Sequence, residues 1–333
     1  MEMSNIFKDL ENDVHSSTLD ENSKKKMFSS ILRLKEQKIN LMITGATGSG
    51  KSSTINALFD IESAKIGIGV DPETMDITEY KSENLILWDS PGLGDGIEKD
   101  KIHSNAIIQK LKELDKNNKP LIDLVLVVLD GSTRDLGTSY ELINSVIIPN
   151  LGENPEKRIL VAINQADMAM KGEFWNKEQN KPEKELEEFL NEKVFSVRKR
   201  IKEGTGVDIE PIYYSAGFKK KDEKPKPYNL SKLLYFIVQN TPSDKRLTYI
   251  NHISEDKEMW KDNDEIKNYN VEIKKSFIES IKDGIVEGAG IGEQIGGAIF
   301  GSTGERIGKT VGAALGGGIE LAKQAFNLFK SLW

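Results

Sequence analysis

Residues 45–52 read Gly45-Ala46-Thr47-Gly48-Ser49-Gly50-Lys51-Ser52. An apolar run, Ile39-Asn40-Leu41-Met42-Ile43-Thr44, precedes them, and a helix-forming stretch follows from Ser53. Strand, glycine-rich turn, lysine, hydroxyl residue and helix form the local order in which a chain cradles phosphate. Glycines let backbone N–H groups converge on an anion, and the N-terminus of the following helix adds a favourable dipole. Lys51 is expected to reach the β- and γ-phosphates, and the Ser52 hydroxyl to ligate Mg²⁺. Ala46, Thr47, Ser49 and Ser53 complete the loop and its exit.

Outward from this loop, the chain alternates short β-rich runs with longer helical patterns from Lys38 to about Gln239. The runs are 39–44, 85–88, 124–128, 159–163 and 212–214, and three of them are continuously apolar, as strands buried on both faces are. Helical segments fall near 53–59, 100–115, 136–147, 183–203 and 230–239. This alternation predicts an α/β fold with a doubly wound sheet. Ahead of it, apolar spacing over 19–36 predicts an N-terminal helix. Three regions result: a helical region 1–37, an α/β domain 38–242 and a helical C-terminal region 243–333.

Open α/β sheets bind ligands at the C-terminal ends of their strands, and three further segments sit at such ends. Trp88-Asp89-Ser90-Pro91-Gly92 ends one run; Asp89 is placed to hold a Mg²⁺ shell and the Gly92 N–H to meet a γ-phosphate. Asn164-Gln165-Ala166-Asp167 follows the run 159–163. A carboxylate at Asp167 can accept from guanine N1–H and the exocyclic amine. Adenine lacks that donor pair and would leave the carboxylate unpaired. Ser215-Ala216 follows the last run, where a backbone N–H can donate to guanine O6.

In this order the four segments resemble the consensus motifs of TRAFAC-class P-loop GTPases, and within that class the Era-like branch. The stretches 164–175 and 130–137 look like a bacterial group of Era-like GTPases, while 45–58 also resembles the phosphate-loop region of immunity-related and septin-like GTPases. The resemblance spans about 38–242 and implies a Ras-like domain that binds GTP and GDP and hydrolyses GTP with Mg²⁺. It also implies a switch threonine between the first two motifs that ligates Mg²⁺ and senses the γ-phosphate. Thr74 is the better match and Thr78 the runner-up. The residues it places in catalysis are then Lys51, Thr74 and Gly92, with Ser52, Thr74 and Asp89 on the metal. Residues 45–53, Asn164, Gln165, Asp167, Ser215 and Ala216 are placed on the nucleotide.

Three departures from the family pattern matter. Leu93 stands where many relatives carry a water-orienting glutamine, so intrinsic turnover is expected to be slow. Gly48 replaces the asparagine of potassium-activated relatives, and Gln165 the usual lysine over the base. Arg134 is a weak candidate for an arginine finger.

Composition bounds the partners. Acidic residues outnumber basic ones by 53 to 46, which disfavours nucleic-acid coating. The chain has no cysteine, so disulfides, thiolate-bound zinc and iron–sulfur clusters are excluded. No basic-then-apolar leader opens the sequence and no window of about 18 apolar residues appears, so a cytoplasmic protein, soluble or peripheral to a membrane, is expected. The three histidines, His15, His103 and His252, are scattered and read as surface residues.

The segment 284–318 holds 13 of the 28 glycines, recurring every fourth residue from Gly284 to Gly316 with Phe300 the break. Interior glycines cost helix stability, so such a stripe implies close backbone approach. Residues 284–333 therefore suit packing on the α/β domain, self-association such as a homodimer, or contact with a membrane surface.

Overall fold

A computed structural model describes residues 6–59, 77–94, 96–217, 226–287 and 289. Two helices, α1 (Ile6–Ser16) and α2 (Glu21–Lys35), lead into strand β1 (Ile39–Gly45) and helix α3 (Lys51–Leu58). Then come β2 (Thr78–Ser82), β3 (Leu85–Asp89), α4 (Ile97–Lys112), β4 (Leu124–Asp130) and α5 (Gly137–Glu141), the last continued by a π-helical stretch, Leu142–Ile147. The chain goes on through β5 (Ile159–Asn164), a short hairpin of β6 (Trp175–Asn176) and β7 (Lys181–Pro182), and α6 (Lys184–Thr205). Strand β8 (Ile212–Tyr213), α7 (Leu230–Gln239) and α8 (Tyr269–Ile281) follow.

The main sheet has six strands in the order β2-β3-β1-β4-β5-β8, parallel except for the edge strand β2. This is the doubly wound Ras-like arrangement. Every residue of β1 is buried, as are all but the last of β4, so helices cover both faces. On one face, α4, the π-helical stretch and α6 pack over Met42, Val125, Val127 and Leu129. On the other, α3, α7 and α8 pack with α1 and α2 over Leu41, Ile43, Leu126 and Val128. The helices from both ends of the chain thus share a single apolar cluster with the sheet. Each fully buried Leu, Ile or Val there contributes roughly 1.5–3 kcal/mol of transfer energy.

Asp20 starts α2 by capping it: its Oδ1 accepts the Asn22 and Ser23 N–H groups at 3.0 Å. At the other end of the chain, a Cβ on Gly284 would lie 2.7 Å from the Leu34 methyls of α2, and Arg33 Nη2 donates to the Gly284 carbonyl at 3.1 Å. At the first member of the glycine stripe the close neighbour is thus a leucine side chain rather than another backbone. The stripe from Gly288 onward lies outside the described residues.

Three features depart from the sequence reading. Helix α1 forms because Ile6, Phe7, Leu10 and Val14 line one buried face of a stretch that reads as polar in composition. Strand β2 is Thr-Glu-Tyr-Lys-Ser, half-buried on alternate residues, and carries no apolar run. His103 and His252 are buried, not on the surface as expected, while His15 is exposed. His103 occupies the inner stripe of α4 with Ile107 and Leu111. His252 caps a turn after the 3₁₀ stretch Ser243–Asn251, and burial lowers its pKa from the usual histidine range.

Because Ile31 of α2 sits in the same cluster as the sheet, Ile31→Ala should cost about 2–5 kcal/mol. A denaturant melt followed by both far-ultraviolet dichroism and tryptophan fluorescence should show one shifted transition. Two separate transitions, with only the first shifted, would show that the terminal helices unfold as an independent unit.

Candidate functional site

Strand register brings the four segments to one edge of the sheet. Ile43 of β1 is paired with Asp89 of β3, Gly45 with Val128, Asp130 with Asn164, and Ile163 with Tyr213. The loops after β1, β3, β5 and β8 therefore emerge side by side.

The loop after β1 can fold only with glycine at two points. Gly45 has φ +147°, and a Cβ on it would lie 2.1 Å from the Val128 carbonyl oxygen. Gly50 has φ +89°, and a Cβ there would lie 2.2 Å from Asn164 Nδ2. That space is used: Asn164, fully buried, donates Nδ2–H to the Ser49 carbonyl at 2.9 Å and accepts the Ala216 N–H on Oδ1 at 2.9 Å. One side chain therefore joins the loops after β1, β5 and β8. Gln165 adds a second tie, donating from Nε2 to the Gly48 carbonyl at 2.9 Å. Asp167 accepts the Ser215 hydroxyl on Oδ1 at 2.6 Å, and Ser215 Oγ in turn accepts the Gly217 N–H. A carboxylate oxygen carries two lone pairs, so Asp167 keeps acceptor capacity for a ligand.

Lys51 opens α3, and its ammonium donates to the Gly45 and Ala46 carbonyls at 3.2 and 3.1 Å. Ser52 and Ser53, next in the helix, and Thr47 and Gly48, at the tip of the loop, are exposed. Ser49 is buried, and its Oγ has no hydrogen-bond partner. Asp89 ends β3 with Oδ1 buried and unpartnered. Burial pushes its pKa up to about 6, opposed by the nearby Lys51 charge. A partnerless carboxylate oxygen beside a lysine and a hydroxyl-bearing loop fits a hard divalent cation, which takes oxygen donors. Thr78, at the start of β2, pairs with Asp89 across the antiparallel ladder; Thr74 lies outside the described residues.

The segment after β3 is tied to the phosphate loop. Thr47 N–H donates to the Leu93 carbonyl at 3.1 Å, and a Cβ on Gly92 would lie 2.6 Å from Thr47 N. The Leu93 side chain is only 4% exposed and belongs to the cluster under α4. It therefore faces the core, and its position cannot serve as a water-orienting one in this arrangement. Arg134 is exposed, in the loop after β4. Two contributors were not read from the sequence: Tyr214, buried, whose hydroxyl meets Thr54 Oγ1 of α3 at 2.6 Å, and His103, whose Nδ1 lies 3.1 Å from the Gly92 carbonyl. Neither belongs to a spaced motif; contact across the fold is what identifies them.

A buried carboxylate with a raised pKa penalises the folded state. Between about pH 4 and 6 the folded protein holds more protons on Asp89 than the unfolded chain does. Stability from this group therefore falls as pH rises through that window and stays reduced above it. Two pKa units correspond to roughly 3 kcal/mol. Asp89→Asn should stabilise the nucleotide-free protein at pH 7.5, with the gain vanishing below about pH 4. Paired denaturation curves at several pH values measure it; equal stability at all of them would place Asp89 in solvent.

Residues 40–165 match the family model described as "50S ribosome-binding GTPase". The mouse (Mus musculus) "Immunity-related GTPase family M protein 1" is 41% identical over 70 residues, 19% of this chain and 17% of its own length. "Translocase of chloroplast 108, chloroplastic" from Physcomitrium patens is 33% identical over 101 residues, 29% of this chain and 10% of its own. The chain thus spans under a fifth of these curated relatives. Among solved structures, Toc33 from Arabidopsis thaliana in complex with GDP and Mg²⁺ has 16% identity and a TM-score of 0.43, covering 74% of this chain and 95% of Toc33. A probable GTP-binding protein engB has 20% identity and a TM-score of 0.39, covering 60% and 97%.

Proposed function

We propose that this protein binds GTP and hydrolyses it to GDP and phosphate, and that the bound nucleotide sets how its C-terminal helical region engages a partner. The observation that carries the reading is the Asn164 side chain, which joins the phosphate loop to the loops flanking Asp167 and Ala216. A site built to hold phosphate and guanine at once needs that connection; a phosphate site alone does not. The reading divides the chain into a GTPase domain over 38–242, of the Era-like type, between helical regions 1–37 and 243–333.

In this reading the loop 45–53 wraps the phosphates with its N–H groups. Lys51 exchanges its two carbonyl contacts for the β- and γ-phosphate oxygens and offsets charge that grows there as the bond breaks. Gly92 N–H donates to the γ-phosphate. Asp167 accepts from guanine N1–H and the exocyclic amine, the Ala216 loop faces guanine O6, and Gln165 lies over the base. Ser52 and Asp89, with the Thr74 hydroxyl, would hold Mg²⁺, which when bound neutralises charge on the β- and γ-phosphates. Water attacks the γ-phosphorus in line as the bond to the β–γ bridging oxygen breaks. With Leu93 in the core, turnover is slow unless another molecule orients the water.

The C-terminal region is the output. Gly284 packs on Leu34 and accepts from Arg33, which favours docking of this region on its own chain in at least one nucleotide state. A membrane surface or a second copy of the chain, taken up through 284–333 in the other state, is the alternative use of the same segment. Among the described residues no helix is long and apolar enough to cross a membrane.

Titration calorimetry should show GTP and GDP binding with Mg²⁺, at least tenfold tighter than ATP. Asp167→Asn should weaken guanine-nucleotide binding and strengthen xanthine-nucleotide binding, because the amide complements the altered base edge. Unchanged GTP affinity in that variant removes Asp167 from the base site.

A second set of measurements addresses the phosphates. Lys51→Ala should abolish tight GTP binding, and phosphate release by the parent should be slow and equal in sodium and potassium buffers. Normal turnover by Lys51→Ala, or strong stimulation by potassium, would contradict the assigned loop geometry.

A further inference from the structure

We propose that His103 is a positioning residue for the γ-phosphate sensor: it holds the Gly92 carbonyl and so makes α4 part of the nucleotide-sensing loop. This inference rests on the GTP-binding reading above.

The geometry starts from a residue in an unexpected place. Along α4 the buried positions are His103, Ile107 and Leu111, a spacing of four that any apolar side chain would satisfy. An imidazole there, 3% exposed, carries a desolvation cost that leucine would not. What the imidazole adds is a donor. Its Nδ1 lies 3.1 Å from the Gly92 carbonyl oxygen, and a carbonyl only accepts, so Nδ1 carries the proton.

The bond falls in the loop that carries the γ-phosphate contact of the GTP-binding reading. Gly92 has no side chain to restrict it, and its N–H is the group aimed at the γ-phosphate. Holding the carbonyl fixes the Gly92–Leu93 peptide plane, which leaves the Gly92 N–H, on the Pro91 side, to reorient only about the bonds at the Gly92 Cα. The neighbours are held as well: the Leu93 carbonyl accepts from Thr47 N–H, and Gly94 N–H donates to Asp100 Oδ1 at 2.9 Å. Asp100 and His103 both belong to α4, one turn apart. The loop is therefore fastened to the phosphate loop at Leu93 and to α4 on either side of it. A change at Gly92 when the γ-phosphate leaves must break or re-form the His103 bond, and α4 moves with the loop or releases it.

The test is discrimination between tri- and diphosphate in the full chain. Affinities for GTPγS and GDP with Mg²⁺ would be measured for the parent, His103→Leu, His103→Phe and His103→Asn. Loss of the one hydrogen bond that holds the peptide next to the γ-phosphate donor should lower the GTPγS-to-GDP affinity ratio about three- to tenfold in the Leu and Phe variants, with GDP affinity unchanged. Asparagine, whose side-chain amide can donate in place of Nδ1, should recover most of the ratio. A merely structural histidine would affect both nucleotides alike and gain nothing from asparagine. Parent-like ratios in whichever of the Leu and Phe variants folds, or an equal fall with asparagine, would overturn the assignment of His103 alone. Failure of the parent to bind either nucleotide would overturn the GTP-binding reading and this inference with it.

Discussion

The buried side chain of Asn164 is the contact on which the site depends. Its amide satisfies a carbonyl of the phosphate loop on one side and a backbone N–H of the loop after β8 on the other. Both partners are buried, so replacing the amide by an apolar group would strand a donor and an acceptor away from water. The bond also dictates sequence elsewhere. Gly50 must lack a side chain because Asn164 Nδ2 occupies the space where its Cβ would stand. Gly131 is constrained similarly, since a Cβ there would lie 2.4 Å from the Asn164 carbonyl oxygen. Three loops distant in sequence are thereby held as one surface.

Around this rigid centre the site retains buried polar atoms without partners. Ser49 Oγ and Asp89 Oδ1 have no hydrogen bond, and Asp89 is held in surroundings that disfavour its charge. Native interiors rarely leave such atoms without a partner, and each one calls for a specific explanation. Any group that pairs with these two atoms in the native state alone would stabilise the fold by mass action.

Much of this was legible in the sequence. The five β-rich runs became parallel strands, and the continuous Val, Leu and Ile runs among them are buried because they have no exposed face to offer. The glycine–lysine loop and the Asn-Gln-Ala-Asp and Ser-Ala segments were readable because their chemistry is local in sequence. The missing pieces were long-range or polar. Strand β2 has no apolar signature, since an edge strand half in solvent needs none. Helix α1 was hidden among acidic and amide residues, although four apolar side chains at helical spacing suffice to bury it. The burial of Leu93 could not be read either. Its sequence position says only that it cannot hydrogen-bond water; the Thr47–Leu93 ladder bond turns its side chain into the core. His103 shows the same limit: a histidine scattered in the sequence looks isolated until the carbonyl it meets is known.

The way α3 is anchored shows how the phosphate loop could act on the far end of the chain. This helix begins at Lys51 and is eight residues long, so it spans about 12 Å at 1.5 Å per residue. At its far end the Leu58 carbonyl accepts the Ser254 N–H at 3.0 Å, Phe59 pairs with Ile253, and the Phe59 ring stacks on Tyr249 at 5.9 Å. Residues 249–254 also lie in the chain that leads to α8, and Tyr249 shares the apolar cluster with Ile273, Phe277 and Ile281 of that helix. Midway, Thr54 meets the buried Tyr214 hydroxyl, just ahead of the Ser215–Ala216 loop. The helix that starts at Lys51 is thus fastened next to the Ser215–Ala216 loop at its middle and to residues 249–254 at its end. A close-packed interior does not deform gradually. Displacement of Lys51 or the loop by phosphate would therefore be carried by α3 as a body, and the contacts at 253–254 are where the C-terminal helices would receive it.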